Sequence, residues 1–122
     1  MAKILVVEDN PTNMKLATML LTSAGHEVIS AADAEIGVAM ARDEQPDLIL
    51  MDIQLPGMDG LAATRVLKLD EATRHIPVIA LTALAMKGDE ERIRAAGCDG
   101  YIAKPMRYQE FLASVAGQLA RP

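Results

Sequence analysis

Five polar residues of the sequence stand at the ends of short apolar runs. They are Glu8, Asp9, Asp52, Thr82 and Lys104. In an open parallel sheet, ligands bind beyond the carboxyl ends of the strands, so residues that follow buried strands surround one crevice. If the apolar runs are such strands, three acids, a hydroxyl and a cation meet at one edge of the sheet.

Three carboxylates in one place call for a compensating cation, because they repel one another and raise one another's pKa values. Mg²⁺ suits them, since it prefers oxygen ligands and is typically held by one or two carboxylates together with a phosphate. The sequence therefore predicts a Mg²⁺ site, with Mn²⁺ as an alternative ion. Taken singly, each residue also has an ordinary interpretation, such as solvated surface for Glu8 and Asp9 or a turn for Asp52.

The elements that would position these residues follow from the hydrophobic pattern. Short apolar runs alternate with longer segments of helical periodicity, which is typical of strand–helix units around a mostly parallel sheet. Strands are predicted over residues 4–7, 27–31, 48–51, 76–81 and 100–103. No linker or repeat interrupts this series, so one α/β domain is expected.

Three of the predicted helices have a recognisable pattern. The first begins at Asn10-Pro11, because proline suits the first helical position, and it ends at Gly25. Its buried stripe is predicted to be Ala17, Leu20, Leu21 and Ala24. A charged helix is predicted over residues 89–96. The last helix carries a stripe expected to pack on the sheet, Tyr108, Phe111, Leu112, Val115 and Leu119.

Composition limits the class of protein. The net charge is −5 and the 12 Lys and Arg residues are scattered, so direct binding to nucleic acid is disfavoured. The lone Cys98 cannot form an internal disulfide, which favours a reducing compartment, the cytoplasm. The first apolar run is too short for a signal peptide or a membrane span, so no membrane association is expected.

Together, the acidic pair after the first strand, the acid after the third, the threonine after the fourth and Lys104-Pro105 after the fifth resemble the receiver domain of response regulators in two-component systems. The resemblance covers essentially the whole chain. It implies a flavodoxin-like, doubly wound fold, with five parallel strands in the order 2-1-3-4-5 and five helices on both faces. Residues 1–122 would form one receiver domain with no output domain.

The resemblance also implies a role for each acid. Asp52 would be the phosphoacceptor, since a carboxylate is a competent nucleophile toward phosphorus. Asp9 and Asp52 would bind the metal directly, the backbone carbonyl of Gln54 would add a ligand, and Glu8 would act through water. A receiver of this kind catalyses only its own phosphorylation and its slow autodephosphorylation, so it is not expected to be an enzyme toward other substrates.

By the same resemblance, Thr82 and Lys104 would contact the phosphoryl oxygens, where positive charge stabilises the transition state. The peptide bond before Pro105 would be cis. Movement of the Thr82 hydroxyl would be coupled to Tyr101 on the fifth strand, although an aromatic residue in a strand is as well explained by core packing.

Two further expectations concern residues near the site. In this family the positions two past the phosphoacceptor and two past the threonine tune phosphoryl lifetime, and here they are Gln54 and Leu84. Leu84 cannot hydrogen-bond an attacking water, which predicts slower self-hydrolysis than in members of the family with an acidic residue at this position. The segment 84–86 is expected to be partly exposed and to contact a partner.

The expected function is that of a phosphorelay switch. The phosphoryl donor would be a phosphohistidine on a histidine kinase or phosphotransfer protein, and phosphorylation would change binding to a downstream protein effector. No small-molecule cofactor besides the metal is expected. Residues 85–94, with Gly97, Cys98 and Tyr101, further resemble single-domain members of the family that regulate the cell cycle.

Four alternatives remain open from the sequence. A phosphatase built on an aspartyl-phosphate generally needs a second acid, and Gln54 stands where a common motif has it. A phosphorylation-independent interaction module is disfavoured by the intact set of five residues. A flavin-binding domain of similar topology is disfavoured because Glu8 and Asp9 would repel a flavin phosphate. The fourth alternative is a receiver segment of a hybrid kinase, although the start at Met1 and the absence of linker residues favour a free-standing protein.

Overall fold

The computed structural model describes residues 2–83 and 87–120 and places them in a parallel sheet with helices on both faces. The strand order is β2-β1-β3-β4-β5, as the resemblance to receiver domains implies. The strands are β1 (Lys3–Val7), β2 (Glu27–Ala31), β3 (Leu48–Asp52), β4 (Val78–Thr82) and β5 (Gly100–Ala103). The helices are α1 (Pro11–Ser23), α2 (Ala34–Glu44), α3 (Gly60–Leu69), α4 (Lys87–Ala95) and α5 (Tyr108–Leu119).

The three central strands are buried on both faces, which explains their unbroken apolar runs. On one face they pack with α2, α3 and α4, and on the other with α1 and α5. Phe111 of α5 is fully buried in the second layer. Among the described residues, no helix combines the length and the apolar character that crossing a bilayer requires.

The register of the sheet aligns the strand ends. Val7 pairs with Met51, Asp52 pairs with Leu81, and Thr82 pairs with Ala103. The residues that follow β1, β3, β4 and β5 therefore emerge at the same edge of the sheet, as the sequence pattern predicts.

Some predicted faces and boundaries differ from the structure. Ala24 lies beyond the end of α1 and is exposed, because the chain there turns toward Gly25. Tyr108 is the first residue of α5 and is 57% exposed, because burial on the sheet begins one turn later, at the fully buried Phe111. β4 begins two residues later than predicted, because the Ile76 amide donates to Thr73 O in a turn.

The remaining boundaries agree closely. β2 and β5 have the predicted limits, while β1 begins one residue earlier and β3 ends one residue later. The charged helix α4 begins at Lys87, two residues earlier than predicted, and ends at Ala95. Leu84, Ala85 and Met86 lie outside the described residues, so the expected partner surface at 84–86 stays a prediction.

Cys98 is buried, and its Sγ lies 3.8 Å from the Thr64 hydroxyl oxygen. Burial raises the pKa of this thiol, which keeps it in the unreactive protonated form at neutral pH. We expect Cys98 to react much more slowly with a thiol-specific disulfide reagent in the folded protein than in denaturant. Stopped-flow absorbance would measure both rates, and equal rates would show that the thiol is accessible.

Candidate functional site

Three carboxylates converge at the sheet edge. Glu8, Asp9 and Asp52 each have a carboxylate oxygen in this cluster, and these three oxygens lie within 4.8 Å of one another. Glu8 and Asp52 are each 2% exposed, whereas Asp9 is exposed. The cluster therefore has a buried side, formed by two acids, and a side open to solvent at Asp9.

Lys104 supplies the positive charge of the site. Its Nζ lies 2.9 Å from Glu8 Oε1 and 3.0 Å from Asp52 Oδ2. The Lys104 backbone amide donates to Thr82 O at 2.8 Å, so the hydrogen bonds between β4 and β5 continue as far as the site. The Lys104–Pro105 peptide bond is cis. The ammonium group is thus held between the two buried carboxylates.

Backbone amides orient the same two carboxylates. The Asn10 amide donates to Glu8 Oε2 at 3.2 Å, and the Gln54 amide donates to Asp52 Oδ1 at 2.8 Å. Asp52 therefore has one oxygen facing Gln54 and the other facing Lys104. The role expected for the Gln54 carbonyl, as a metal ligand, stays a prediction.

The environment gives the two buried acids different pKa values. Burial raises the pKa of Glu8, and the hydrogen-bonded Asp52 carboxyl raises it further. Burial acts on Asp52 in the same direction, yet its pKa is lowered, because hydrogen bonds with Glu8, Gln54 and Lys104 together outweigh burial. For Lys104, burial lowers the pKa but the two carboxylates outweigh it and raise it. Asp52 is thus the carboxylate that the site keeps ionised.

The donor set fits Mg²⁺. It consists of carboxylate oxygens, which are hard ligands, and it has an open side where waters can complete a coordination shell. Glu8 Oε1 is buried and has no hydrogen-bond partner among the described residues, although it is in ionic contact with Lys104. The Lys104 ammonium compensates this oxygen in the absence of metal, and a cation bound at the cluster would share that role.

Thr82 and Tyr101 lie beside this cluster. Thr82 is fully buried at the end of β4. Tyr101 pairs in register with Ala80, two residues before Thr82, so Thr82 and Tyr101 point to the same face of the sheet. Tyr101 is half-buried, and its hydroxyl donates to Glu90 Oε2 of α4 at 3.4 Å. The structure therefore brings all five predicted polar residues to one edge, with Tyr101 adjacent.

Sequence reasoning missed two features of the site. The first is the Gln54 amide as a donor to Asp52, which follows from the turn after β3 and has no side-chain signal. The second is Gly60, whose position over Asp52 is described below. Its signal in the sequence is the turn-rich stretch Leu-Pro-Gly-Met-Asp-Gly at residues 55–60, which Gly60 ends. Leu84, the other expected tuning position, lies outside the described residues.

Comparison with known proteins agrees with this geometry. Residues 4–116 match the response regulator receiver domain family. The chain is 51% identical over 116 residues to the polar-differentiation response regulator DivK of Brucella ovis, covering 95% of this chain and 94% of that protein. This agrees with the resemblance to cell-cycle regulators expected from residues 85–101.

Solved structures show the same fold. A putative response regulator from Chloroflexus aurantiacus matches with a TM-score of 0.94 and 31% identity, covering 98% of each chain. The receiver domain of a sensor histidine kinase from Pseudomonas aeruginosa matches with a TM-score of 0.92 and 39% identity, again over 98% of each chain. That structure has a magnesium ion coordinated in its active-site cleft. The sheet order, the acidic edge and the match over residues 4–116 lead to one conclusion: this chain belongs to the response regulator receiver domain family.

Proposed function

We propose that this protein is a single-domain phosphorelay switch that accepts a phosphoryl group from phosphohistidine onto Asp52 in the presence of Mg²⁺. The observation that supports this best is the position of Asp52. It is a buried carboxylate with a lowered pKa, it lies within 4.8 Å of two further acids, and it is 3.0 Å from an ammonium group.

In the proposed transfer, a carboxylate oxygen of Asp52 forms a bond to phosphorus while the bond from phosphorus to the histidine nitrogen of the donor breaks. The histidine retains the electron pair of the broken bond. Bound Mg²⁺, or Mn²⁺ in its place, supplies charge that neutralises the phosphoryl oxygens, and Asp9, Asp52, the Gln54 carbonyl and water-linked Glu8 would hold it. The protein contributes mainly position and charge, as is usual for phosphoryl transfer.

Lys104 has two successive roles in this proposal. Before transfer it compensates the charge of Glu8 and Asp52, which it contacts at 2.9 and 3.0 Å. After transfer, its ammonium group contacts a phosphoryl oxygen on Asp52. The Thr82 hydroxyl donates a hydrogen bond to a second phosphoryl oxygen. A compact, flexible ammonium suits both roles.

The output would be a change in partner binding. Phosphorylation adds a charge of about −1.5 to −2, which draws Thr82 toward Asp52. Tyr101 would follow on the same face, which alters the surface formed by α4, β5 and α5. A single charge-assisted hydrogen bond contributes roughly 1.5 to 3 kcal/mol, less than the roughly 5.5 kcal/mol needed to invert a 1:99 equilibrium. Several contacts must therefore change together.

The proposed partners are a histidine kinase or phosphotransfer protein as donor and a protein effector as target, in the cytoplasm. Gln54 and Leu84 are proposed to set the lifetime of the phosphoryl group. Gln54 is exposed beside Asp52, where it can face an attacking water. The likeness to DivK supports a role in cell-cycle control.

The test is phosphorylation by acetyl phosphate, followed by intact mass. We expect wild type to gain one phosphoryl mass with Mg²⁺ and none with a chelator. Asp52→Asn should gain none in either condition, because the amide is not a nucleophile toward phosphorus. Asp47→Asn is the matched control, since Asp47 lies just before β3 at the opposite edge of the sheet and its loss should leave the adduct unchanged.

An adduct on Asp52→Asn would place the phosphoacceptor elsewhere. No adduct on wild type, with either acetyl phosphate or a phosphohistidine donor, would favour the phosphorylation-independent interaction module. Turnover of a small phosphomonoester would instead favour an aspartyl-phosphate phosphatase.

A further inference from the structure

Gly60, the first residue of α3, lies against the backbone of the phosphoacceptor. A Cβ atom added at Gly60 would be 2.1 Å from Asp52 O, 2.7 Å from Ile53 Cα and 2.8 Å from Asp52 C. All three are backbone atoms, which cannot rotate away as a side chain can. The start of α3 therefore approaches β3 more closely than any residue with a side chain allows.

The start of α3 cannot easily retreat from this contact. Asp59 Oδ1 accepts the Ala62 amide at 2.8 Å and fixes the first turn. The buried Thr64 hydroxyl donates to Gly60 O at 2.8 Å. Leu61 is itself buried in the core layer that includes Ile53. A side chain at Gly60 would thus displace the backbone of Asp52 and Ile53 as well as the start of α3.

The peptide segment that would move carries the site. The Ile53 amide is held by Leu81 O at 3.2 Å, and the Gln54 amide orients the Asp52 carboxylate at 2.8 Å. A shift of the Asp52–Ile53 peptide changes the direction of the Asp52 side chain and the reach of the Gln54 amide together. Groups that orient a metal ligand typically affect affinity about 10- to 100-fold.

We propose that Gly60 is a positioning residue for Asp52. Its missing side chain sets the direction of the phosphoacceptor carboxylate, and with it Mg²⁺ affinity and phosphoryl acceptance. This inference rests on the proposed function, since it concerns the same site. The same role is not expected of Gly97 and Gly117. A Cβ added at Gly97 would meet only a side chain, and one added at Gly117 would meet nothing within 4 Å.

The test compares Mg²⁺ binding by isothermal titration calorimetry with unfolding in urea. We expect Gly60→Ala to bind Mg²⁺ about tenfold more weakly. It should also be less stable. Gly97→Ala is the control for lost stability, because its φ of +103° strains any side chain and its added Cβ would meet only Lys68. Gly97→Ala should keep wild-type Mg²⁺ affinity. Equal Mg²⁺ affinity in Gly60→Ala and wild type would overturn the inference.

A milder pair of variants covers the case in which Gly60→Ala does not fold. Thr64→Val removes the hydroxyl that holds Gly60 O, and Thr73→Val removes an equally buried hydroxyl that holds Leu67 O at the far end of α3. We expect weaker Mg²⁺ binding in Thr64→Val alone. Equal Mg²⁺ binding in the two variants would contradict the role of the α3 start. Failure of wild type to bind Mg²⁺ or accept phosphoryl would instead count against the proposed function itself.

Discussion

A Phe111→Ala variant is expected to lose about 3–5 kcal/mol of unfolding free energy, because truncating a buried aromatic side chain removes hydrophobic contacts and leaves a cavity. Phe111 is fully buried and is the largest of the fully buried side chains. It lies in the layer where α1 and α5 pack on the sheet, together with Leu50 of β3 and Leu81 of β4, the strands that end at Asp52 and Thr82. Neighbouring side chains cannot collapse into the space without moving those strands.

Equilibrium urea unfolding followed by circular dichroism would measure this effect. Tyr108→Ala is the matched control, since it removes an aromatic side chain from the same helix at a position that is 57% exposed. Its free energy of unfolding should stay within about 0.5 kcal/mol of wild type. A similar loss in both variants would mean that the measured cost reflects helix formation in α5 rather than packing of Phe111.

Replacing Lys104 with Met is expected to destabilise the metal-free protein by about 3 kcal/mol, the lower end of the cost of breaking a buried ion pair. The side chains of Glu8 and Asp52 are 1% and 3% exposed, and both lose their cation in Lys104→Met. The Lys104 side chain is itself 15% exposed, and Glu8 has a raised pKa and accepts a proton readily. Both facts place the expected loss of unfolding free energy at the lower end of the range for a broken buried ion pair.

The same variant should respond more strongly to Mg²⁺. In wild type a bound metal would compete with Lys104 for Glu8 and Asp52, whereas in Lys104→Met the two carboxylates would have no competing cation. Thermal unfolding over a series of Mg²⁺ concentrations would show a larger rise in Tm for Lys104→Met. Lys68→Met is the control, because Lys68 pairs with Asp99 at 3.1 Å, away from the acidic edge. An equal Mg²⁺ response in Lys104→Met and wild type would show that Lys104 does not compete with the metal.

The sheet and the site were predictable from the sequence for the same reason. Strands buried on both faces appear as unbroken apolar runs, so the residue at which each run stops marks the edge where ligands bind. Asp52 and Lys104 are 52 residues apart in the chain, yet each is placed by the end of its own strand. Alternating strands and helices indicated a doubly wound sheet, and the resemblance to receiver domains supplied the strand order.

Other features depend on packing that no local pattern records. Tyr108 continues the apolar stripe of α5 but is 57% exposed, whereas Phe111 and Val115 of the same stripe are fully buried. Ile36 has the spacing of a buried residue in α2 and is half exposed, while Gly37 beside it is buried against Val7. The close approach of Gly60 to Asp52 likewise joins two segments whose separation depends on the whole layer.

The charged helix α4 affects how the sequences of such proteins can diverge, because packing fixes few of its positions. Among its residues 88–95, Ile93 is the one buried side chain, and the others face solvent fully or in part. Surface substitutions away from caps and buried networks usually change stability by less than about 0.5 kcal/mol. Most of the α4 surface can therefore be exchanged with little loss of folding stability while the acidic edge stays intact.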